Sequence, residues 1–324
     1  MSTTGEFDPD FTPSYSTCDQ VSPRCPVELT LYGDYFNLGA CIFFTVSFLV
    51  LLTAQGWLAR KSRAWSFASY LAVGTSFELL GYVCRIVLHS NPWSYAPFVI
   101  QLLFLILGPT LVAAAISVTA KHLVIYFGPG GSLIRPRWYP WVFVGSDFAS
   151  IFIQAVGASI AGIATAGEEP DEALQDASSA LLVAGVSFQL ANMAFCAALM
   201  VVYWIRLRRR TKADAGAGAA NAIPSEGLFS RLRNDKVFLF IVSLSVAYIA
   251  IVIRCIYRVP EMASGWASDL MQSEATFLIF DGTMILVAVL LLTVFHPCNF
   301  FAPMGAQARG EVPHADNTVP LDSR

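Results

Sequence analysis

Seven long apolar segments separated by loops set the hydrophobic pattern of this chain. Each segment has the roughly 20 residues that an α-helix needs to cross the hydrocarbon core of a bilayer. The pattern therefore predicts an all-α, polytopic membrane protein built as a seven-transmembrane-helix bundle. The predicted spans cover residues 36–57, 66–88, 97–124, 140–163, 178–205, 236–259 and 275–296.

Positive charge alternates from one connecting segment to the next. The first, third and fifth loops contain Lys or Arg, whereas the second, fourth and sixth contain neither. The acidic segment before the first span has Arg24 as its one basic residue. Because basic loops stay on the cytoplasmic side of a membrane, we expect the N-terminus outside and the C-terminus in the cytoplasm.

Composition supports a membrane protein and limits the number of domains. The chain is 56% hydrophobic and 13% charged, whereas soluble domains carry about 25% charged residues. We expect an extracellular acidic tail over 1–35, one transmembrane domain over 36–298 and a disordered cytoplasmic tail over 299–324. The Ala- and Gly-rich part of the fifth loop predicts a disordered cytoplasmic segment at about 208–232.

Polar side chains inside the predicted spans are the candidates for a binding site. An ionisable residue at the bilayer centre costs about 2.5–3.5 kcal/mol, so such residues usually face the bundle interior and act there. Most of these groups fall in the half of the bundle predicted to face outward, which suggests a charge-paired, partly hydrated cavity. The alternative is an ion-pair network that only holds the helices together. The candidates are Glu78, Arg85, Gln101, Asp147, Gln154, Arg254, Arg258, Glu261, Glu274 and Asp281.

Two further features are a proline inside a span and a pair of cysteines in the N-terminal tail. Gly108-Pro109 lies in the middle of the third span, and a proline there removes one hydrogen bond and clashes with the carbonyl of Leu105, which predicts a kink. That kink serves either as a hinge or as a static packing feature. In the N-terminal tail, Cys18 and Cys25 either form a disulfide, as an extracellular location permits, or remain two free thiols.

The polar residues of the spans also form specific sequence blocks. The second span carries Phe77-Glu78-x-x-Gly81-Tyr82-x-x-Arg85, and the sixth carries Arg254-x-x-Tyr257-Arg258-x-x-Glu261-x-x-x-Gly265. The other matching positions are Pro109 with the alanines after it, Asp147 with Gln154 and Gly157, Glu274 with Asp281, and His296-Pro297.

Over roughly residues 35–300, this pattern resembles the fungal RTA1-like family, also called lipid-translocating exporters. The resemblance implies a seven-helix protein, with the plasma membrane as its first expected location and the endoplasmic reticulum or vacuole as alternatives. Members are linked to export of sphingoid long-chain bases, to resistance to toxic amphiphiles and, in one branch, to porphyrin traffic. One difference lies at the inner end of the third span, where this chain has Lys121 and members often have a Tyr and a Gly-Arg pair.

The leading functional hypothesis is translocation or export of lipids or amphiphilic compounds similar to sphingoid long-chain bases. Carboxylates of Glu78 and Asp281 would contact a cationic head group, and Arg85 and Arg258 would keep those acids ionised. The sequence lacks the Gly-x-x-x-x-Gly-Lys-Ser/Thr phosphate loop, and we expect neither an enzymatic activity nor a cofactor. The expected partners are membrane lipids or amphiphilic small molecules rather than nucleic acid.

Two alternatives remain open at this stage. A seven-helix lipid sensor or regulator would bind without transport, although the chain lacks the hallmark motifs of G-protein-coupled receptors. A ceramidase-like metal hydrolase would need three protein ligands for zinc. The side chains that would have to supply them near the cytoplasmic side are His122, His296 and Asp147.

Overall fold

The computed structural model describes residues 13–15, 17–62, 65–127, 139–166, 172–217, 235–264 and 268–300. Within these ranges the regular structure is helical, with no β-strand and one isolated bridge between Ser22 and Cys25. The long helices are α1 (Leu38–Ser62), α2 (Trp65–Ser90), α3 (Tyr95–Phe127), α4 (Tyr139–Ala166), α5 (Glu172–Ala217), α6 (Asp235–Ala263) and α7 (Glu274–Val294).

Six of the helices in the described ranges are long and apolar enough to cross a membrane, namely α1, α2, α3, α5, α6 and α7. The fourth helix, α4, runs for 28 residues. The all-helical membrane architecture predicted from the hydrophobic pattern is therefore present. Short helical turns at Val27–Leu29, Asp269–Gln272 and Pro297–Phe300 complete the described secondary structure.

The largest difference from the predicted boundaries is in α5, which continues to Ala217. The predicted disordered segment at 208–232 thus begins as helix, because Arg, Lys and Ala all have high helix propensity. Its remaining part, from 218 onward, lies outside the described residues, as do 301–324 of the predicted C-terminal tail.

Helix α3 occupies the centre of the bundle. In its most apolar stretch 67% of the residues are buried, against 28–44% in the other five helices that are long and apolar enough to cross a membrane. It packs against α2, α4, α6 and α7, while α1 contacts both α2 and α7. The run Ala113–Ala114–Ala115 is buried along α3, since small side chains let neighbouring helices approach closely.

Helix α7 changes its hydrogen-bonding pattern around the candidate residue Asp281. Residues Leu278–Thr283 form a π-helical segment between the α-helical stretches Glu274–Phe277 and Met284–Val294. Such segments are rare and occur frequently at functional sites, because they turn side chains away from regular helical positions. Asp281 and Gly282 are the buried residues of this segment.

The segment before α1 covers one end of the bundle. Cys18 and Cys25 are joined by a disulfide in the structure. The indole Nε1–H of Trp93, in the α2–α3 connection, donates to the carbonyl of Cys25 at 3.0 Å. Tyr15 stacks on Phe98 with ring centroids 5.1 Å apart. We call residues 13–37 the N-terminal cap, because their contacts close the end of the bundle where α2 ends and α3 and α7 begin.

Candidate functional site: a buried ionic cluster

Asp281 lies at the centre of a cluster of charged side chains below the N-terminal cap. Its Oδ1 atom is 2.8 Å from Nε of Arg254 and 2.7 Å from Nε of Arg258. All three side chains are almost fully buried. The second oxygen, Oδ2, has no hydrogen-bond partner among the described residues. One oxygen of Asp281 therefore serves two guanidinium groups, and the other remains available.

The spacing of the sixth-span block explains how these groups meet. Arg254 and Arg258 are four residues apart and thus share one face of α6. Arg258 also forms an ion pair with Glu261 on the next turn, with Nη1 and Oε2 3.1 Å apart. Helix α6 therefore brings two cations and one anion to the acid on the π-helical segment of α7.

Arg254 also uses the backbone defect that the sequence predicted in α3. Pro109 has no N–H, so the carbonyl of Leu105 loses its usual helical donor. The Nη2 atom of Arg254 donates to this carbonyl at 2.6 Å. In the low-dielectric interior of a membrane protein an unpaired carbonyl costs several kcal/mol. The guanidinium of α6 thus satisfies the group that the proline of α3 exposes.

Arg85 is held at the cap end of α2 by aromatic rings and an acid. Its guanidinium carbon lies 4.0 Å from the ring centre of Phe36 and 4.3 Å from that of Phe277. Its Nη2 atom is 3.5 Å from Oε1 of Glu274, whose carboxylate also accepts from the backbone N–H of Asn37. Cation–π contacts of this kind stabilise a desolvated guanidinium.

Glu78 differs from the other acids of the cluster. Its side chain is fully buried, and neither carboxyl oxygen has a hydrogen-bond partner among the described residues. The described ion pairs join the arginines to three acids, Glu261, Glu274 and Asp281, and none of these pairs includes Glu78. The carboxyl instead packs against α3 at Gly108, where an added Cβ would lie 2.6 Å from Oε1.

The remaining residues of the second-span block shape the walls around Glu78. The ring of Tyr82 stacks on Phe44 of α1, with ring centroids 4.7 Å apart. Its hydroxyl faces Gly282 so closely that any side chain there would collide with it. Gly81 is equally constrained, since an added Cβ would lie 2.6 Å from Leu105. The block thus combines one acid, one aromatic wall and a close approach of α2 to α3.

Not all ten sequence candidates belong to this cluster. Gln154 donates to Gln189, which donates in turn to Thr110, with both distances 3.2 Å. This amide chain runs beside the arginines, because Gln154 and Gln189 line the same cavity as Arg254. Asp147 lies apart, where its Oδ1 accepts a hydrogen bond from Asn192 at 2.7 Å.

Gln101 connects the cluster to the N-terminal cap. Its amide Nε2 donates to the hydroxyl oxygen of Tyr32 at 2.8 Å. Burial raises the pKa of Tyr32 above its usual value, so the phenol stays protonated and can itself donate. Tyr32 and Gln101 line a second cavity together with Arg258 and Glu261. Arg258 therefore borders both cavities.

Both cavities are small in this structure. Each offers about 10 Å³ for the centre of a water-sized molecule, which corresponds to about one water. Neither cavity is lined by Glu78 or Asp281, and both of these side chains are fully buried. An amphiphile head group therefore needs a rearrangement to reach their carboxylates, and we call the present arrangement the closed state of the cluster.

Sequence reasoning missed several side chains that complete the site. Phe36 and Phe277 contact the guanidinium of Arg85. The other missed residues form hydrogen bonds at the candidate positions or with each other, and they are Tyr32, Thr110, Gln189 and Asn192. Aromatic and amide side chains are common in apolar helices, so spacing alone did not separate these from packing residues. A guanidinium inside an apolar span, that of Arg85, was the available signal for an aromatic enclosure.

No group of three or more His, Cys, Asp or Glu side chains with metal-binding geometry occurs among the described residues. His296 instead packs edge-to-face on Phe67, with ring centroids 5.3 Å apart. Asp147 accepts its hydrogen bond from an amide. These contacts give the metal-hydrolase hypothesis no ligand set in the described part of the chain.

A helical membrane bundle with buried acids and arginines from α2, α6 and α7 defines the class of this protein as an integral membrane protein with a polar core. The family model described as "RTA1 like protein" matches residues 71–304. The chain belongs to this family. The resemblance stated from the residue blocks is thereby confirmed, since the match includes the blocks of α2, α3, α4, α6 and α7.

Similar proteins come from Saccharomyces cerevisiae. The chain is 27% identical over 290 residues to a protein named "Sphingoid long-chain base transporter RSB1", covering 83% of this chain and 74% of that protein. It is 24% identical to "Protoporphyrin uptake protein 1", over 68% of this chain and 65% of that protein. It is also 24% identical to "Protein RTA1", over 82% of this chain and 84% of that protein. No solved structure matches the chain.

These relatives support a role in membrane transport. Two of the three names describe transport of a sphingoid long-chain base or uptake of protoporphyrin. Names of transporters also agree with the expectation of a protein that is not an enzyme. The apolar helices make the chain an integral membrane protein.

Proposed function

We propose that this protein translocates amphiphiles with a cationic head group, similar to sphingoid long-chain bases, through the ionic cluster described above. The observation that carries the proposal is a set of three unclaimed carboxyl oxygens in one buried region. They are Oε1 and Oε2 of Glu78 and Oδ2 of Asp281. A primary ammonium group has three N–H donors, so these oxygens match the head group in number and in charge.

The arginines have a supporting role in this proposal. Arg254 and Arg258 hold Oδ1 of Asp281 and leave its other oxygen free. Arg85 is bound to Glu274 rather than to Glu78, so it fixes the cap end of the site. The apolar tail of the substrate would remain among the helices or in lipid, since nothing polar in the tail needs a partner.

Opening of the closed cluster would use the irregular backbone beside it. Pro109 of α3, where we expect a kink, and the π-helical segment of α7 both lie against the site. Such interruptions are where helices change direction with least loss of hydrogen bonding. The N-terminal cap covers the cluster through Tyr32 and Phe36. Movement of α3 or of the cap would admit a head group from the bilayer or from water.

We further propose that α4 is a seventh span, with the N-terminal cap outside and the basic loops in the cytoplasm. The 28-residue length of α4 and its packing between α3 and α5 support this number. The alternating positive charge of the loops supports the orientation. The plasma membrane is the expected location, in line with the family resemblance.

The test is transbilayer movement of a fluorescent long-chain base in liposomes that contain the purified protein. We expect faster movement than in empty liposomes, and no acceleration for the N-acetylated analogue, whose head group has no positive charge. Glu78→Gln should remove the acceleration, whereas Asp269→Asn, an exposed acid at the same end of the bundle, should not. Equal rates in protein-containing and empty liposomes, despite binding, would favour the sensor alternative.

A further inference from the structure

Glu78 is an ionisable group in an environment that offers its charge no direct partner. The side chain is fully buried, and both oxygens lack hydrogen-bond partners among the described residues. An ionised carboxylate in such a place is very costly unless it is paired. The alternative for such a group is to bind a proton, which removes the charge.

The charged groups that face Glu78 come from two helices. Helix α6 presents Arg254 and Arg258, and α7 presents Asp281. Helix α3 presents the backbone at Gly108, and the titratable neighbour on α2 itself is Tyr82. Both guanidinium groups already contact Asp281. Arg254 also contacts the Leu105 carbonyl, and Arg258 also contacts Glu261. The cations therefore act on Glu78 through space but do not bind it.

The net charge of the cluster depends on whether Glu78 is protonated. The described ion pairs contain three arginines and three acids, so they sum to zero without Glu78. The members are Arg85, Arg254 and Arg258 against Glu261, Glu274 and Asp281. With Glu78 protonated the whole cluster is neutral, and with Glu78 ionised it carries one negative charge.

We infer that Glu78 is a proton-exchange site: it holds a proton in the closed state and releases that proton when a cationic head group enters. This inference rests on the proposed function and specifies its coupling. In the exchange the O–H bond of Glu78 breaks, the proton leaves to water, and the ammonium takes its place beside the carboxylate. One positive charge enters and one leaves, so the buried cluster stays neutral in both states.

The consequence is a means of driving transport without a nucleotide. Because the site carries either a proton or an amphiphile, a proton gradient across the membrane drives the amphiphile in the opposite direction. The same exchange makes binding depend on pH. Affinity rises as pH rises, since the head group competes with protons for one carboxylate.

The experiment measures proton release when dihydrosphingosine binds to the purified full-length protein in detergent. Calorimetric titrations in buffers of different ionisation enthalpy give the number of protons released. The amine of the probe is ionised near neutral pH, because alkylamines have a pKa of about 10. We expect about one proton released per bound amphiphile, and a tenfold gain in affinity per pH unit while Glu78 remains protonated in the unbound protein.

Two variants separate this coupling from simple binding. Glu78→Gln has no proton to release, so its affinity should be weak and constant with pH, and the affinity of the unaltered protein should approach that value as pH falls. Glu78→Asp keeps the exchangeable proton and should keep its release. Asp269→Asn should behave as the unaltered protein does.

The outcomes also separate this inference from the proposed function. Binding and transport by the unaltered protein without proton release would overturn the exchange at Glu78 and leave the translocator intact. Proton release that persists in Glu78→Gln would also overturn it, because the proton would come from another group. Absence of both binding and accelerated transport of the long-chain base would overturn the proposed function itself.

Discussion

Replacing Asp281 with Asn tests whether the ion pairs hold the bundle together. Asn keeps the volume of the side chain, so no cavity is created, but the buried guanidinium groups of Arg254 and Arg258 lose their shared anion. Removing one partner of a buried ion pair costs about 3–5 kcal/mol. Arg258 retains Glu261 and Arg254 retains the carbonyl of Leu105. We therefore expect a loss near the lower limit, about 3 kcal/mol.

The assay is the free energy of unfolding in mixed micelles, measured by titration with sodium dodecyl sulfate and followed by tryptophan fluorescence. Asp147→Asn is the matched control, because Asp147 is also buried but has an amide partner, Asn192, rather than a described ion pair. Its loss should be about 1 kcal/mol. A cost for Asp281→Asn no greater than that for Asp147→Asn would refute the reasoning.

Two further predictions concern the backbone beside Glu78 and the orientation of the chain. Gly108→Ala places a Cβ 2.6 Å from Glu78, so it should abolish transport and lower the free energy of unfolding by about 1–3 kcal/mol. The control Gly56→Ala meets nothing within 4 Å and should preserve transport. Equal effects of the two variants in the liposome and unfolding assays would contradict the close approach. Glu28→Cys and Lys61→Cys place exposed thiols at opposite ends of the bundle. An impermeant maleimide should label the first but not the second on intact cells, above the background of the unsubstituted chain, and the reverse pattern would invert the proposed orientation.

The helices were predictable because membrane spans have a strong local signal. Length and apolarity alone locate the centres of α1, α2, α3, α5, α6 and α7. The ends of the helices were harder to predict from the sequence, as α5 shows. Its basic residues favour a loop on a hydropathy scale but favour helix by backbone propensity, and the helix continues to Ala217.

The residues of the cluster were predictable, but their pairings were not. The sequence placed Arg254, Arg258, Glu261 and Asp281 in the half of the bundle predicted to face outward. It did not show that Asp281 would receive both arginines on one oxygen or that Glu78 would receive none. Pairing depends on helix rotation, which is set by packing across the whole bundle.

The π-helical segment was equally hidden in the sequence. Residues Leu278–Thr283 read as part of an ordinary apolar span, since one extra residue in a helical turn leaves composition unchanged. The loss of the hydrogen bond to the Leu105 carbonyl was predictable, because proline acts through its own covalent structure. The partner of the exposed carbonyl, Arg254, lies 149 positions away from Leu105 and had no local signal.

The contact between Arg254 and the Leu105 carbonyl constrains how this chain can change by single substitutions. Pro109 in a protein without Arg254 would leave a bare carbonyl in an apolar interior. Arg254 beside a regular helix would meet a carbonyl that already accepts a backbone hydrogen bond. Pro109 therefore depends on Arg254, and we expect replacement of Arg254 to be tolerated better when Pro109 is replaced as well.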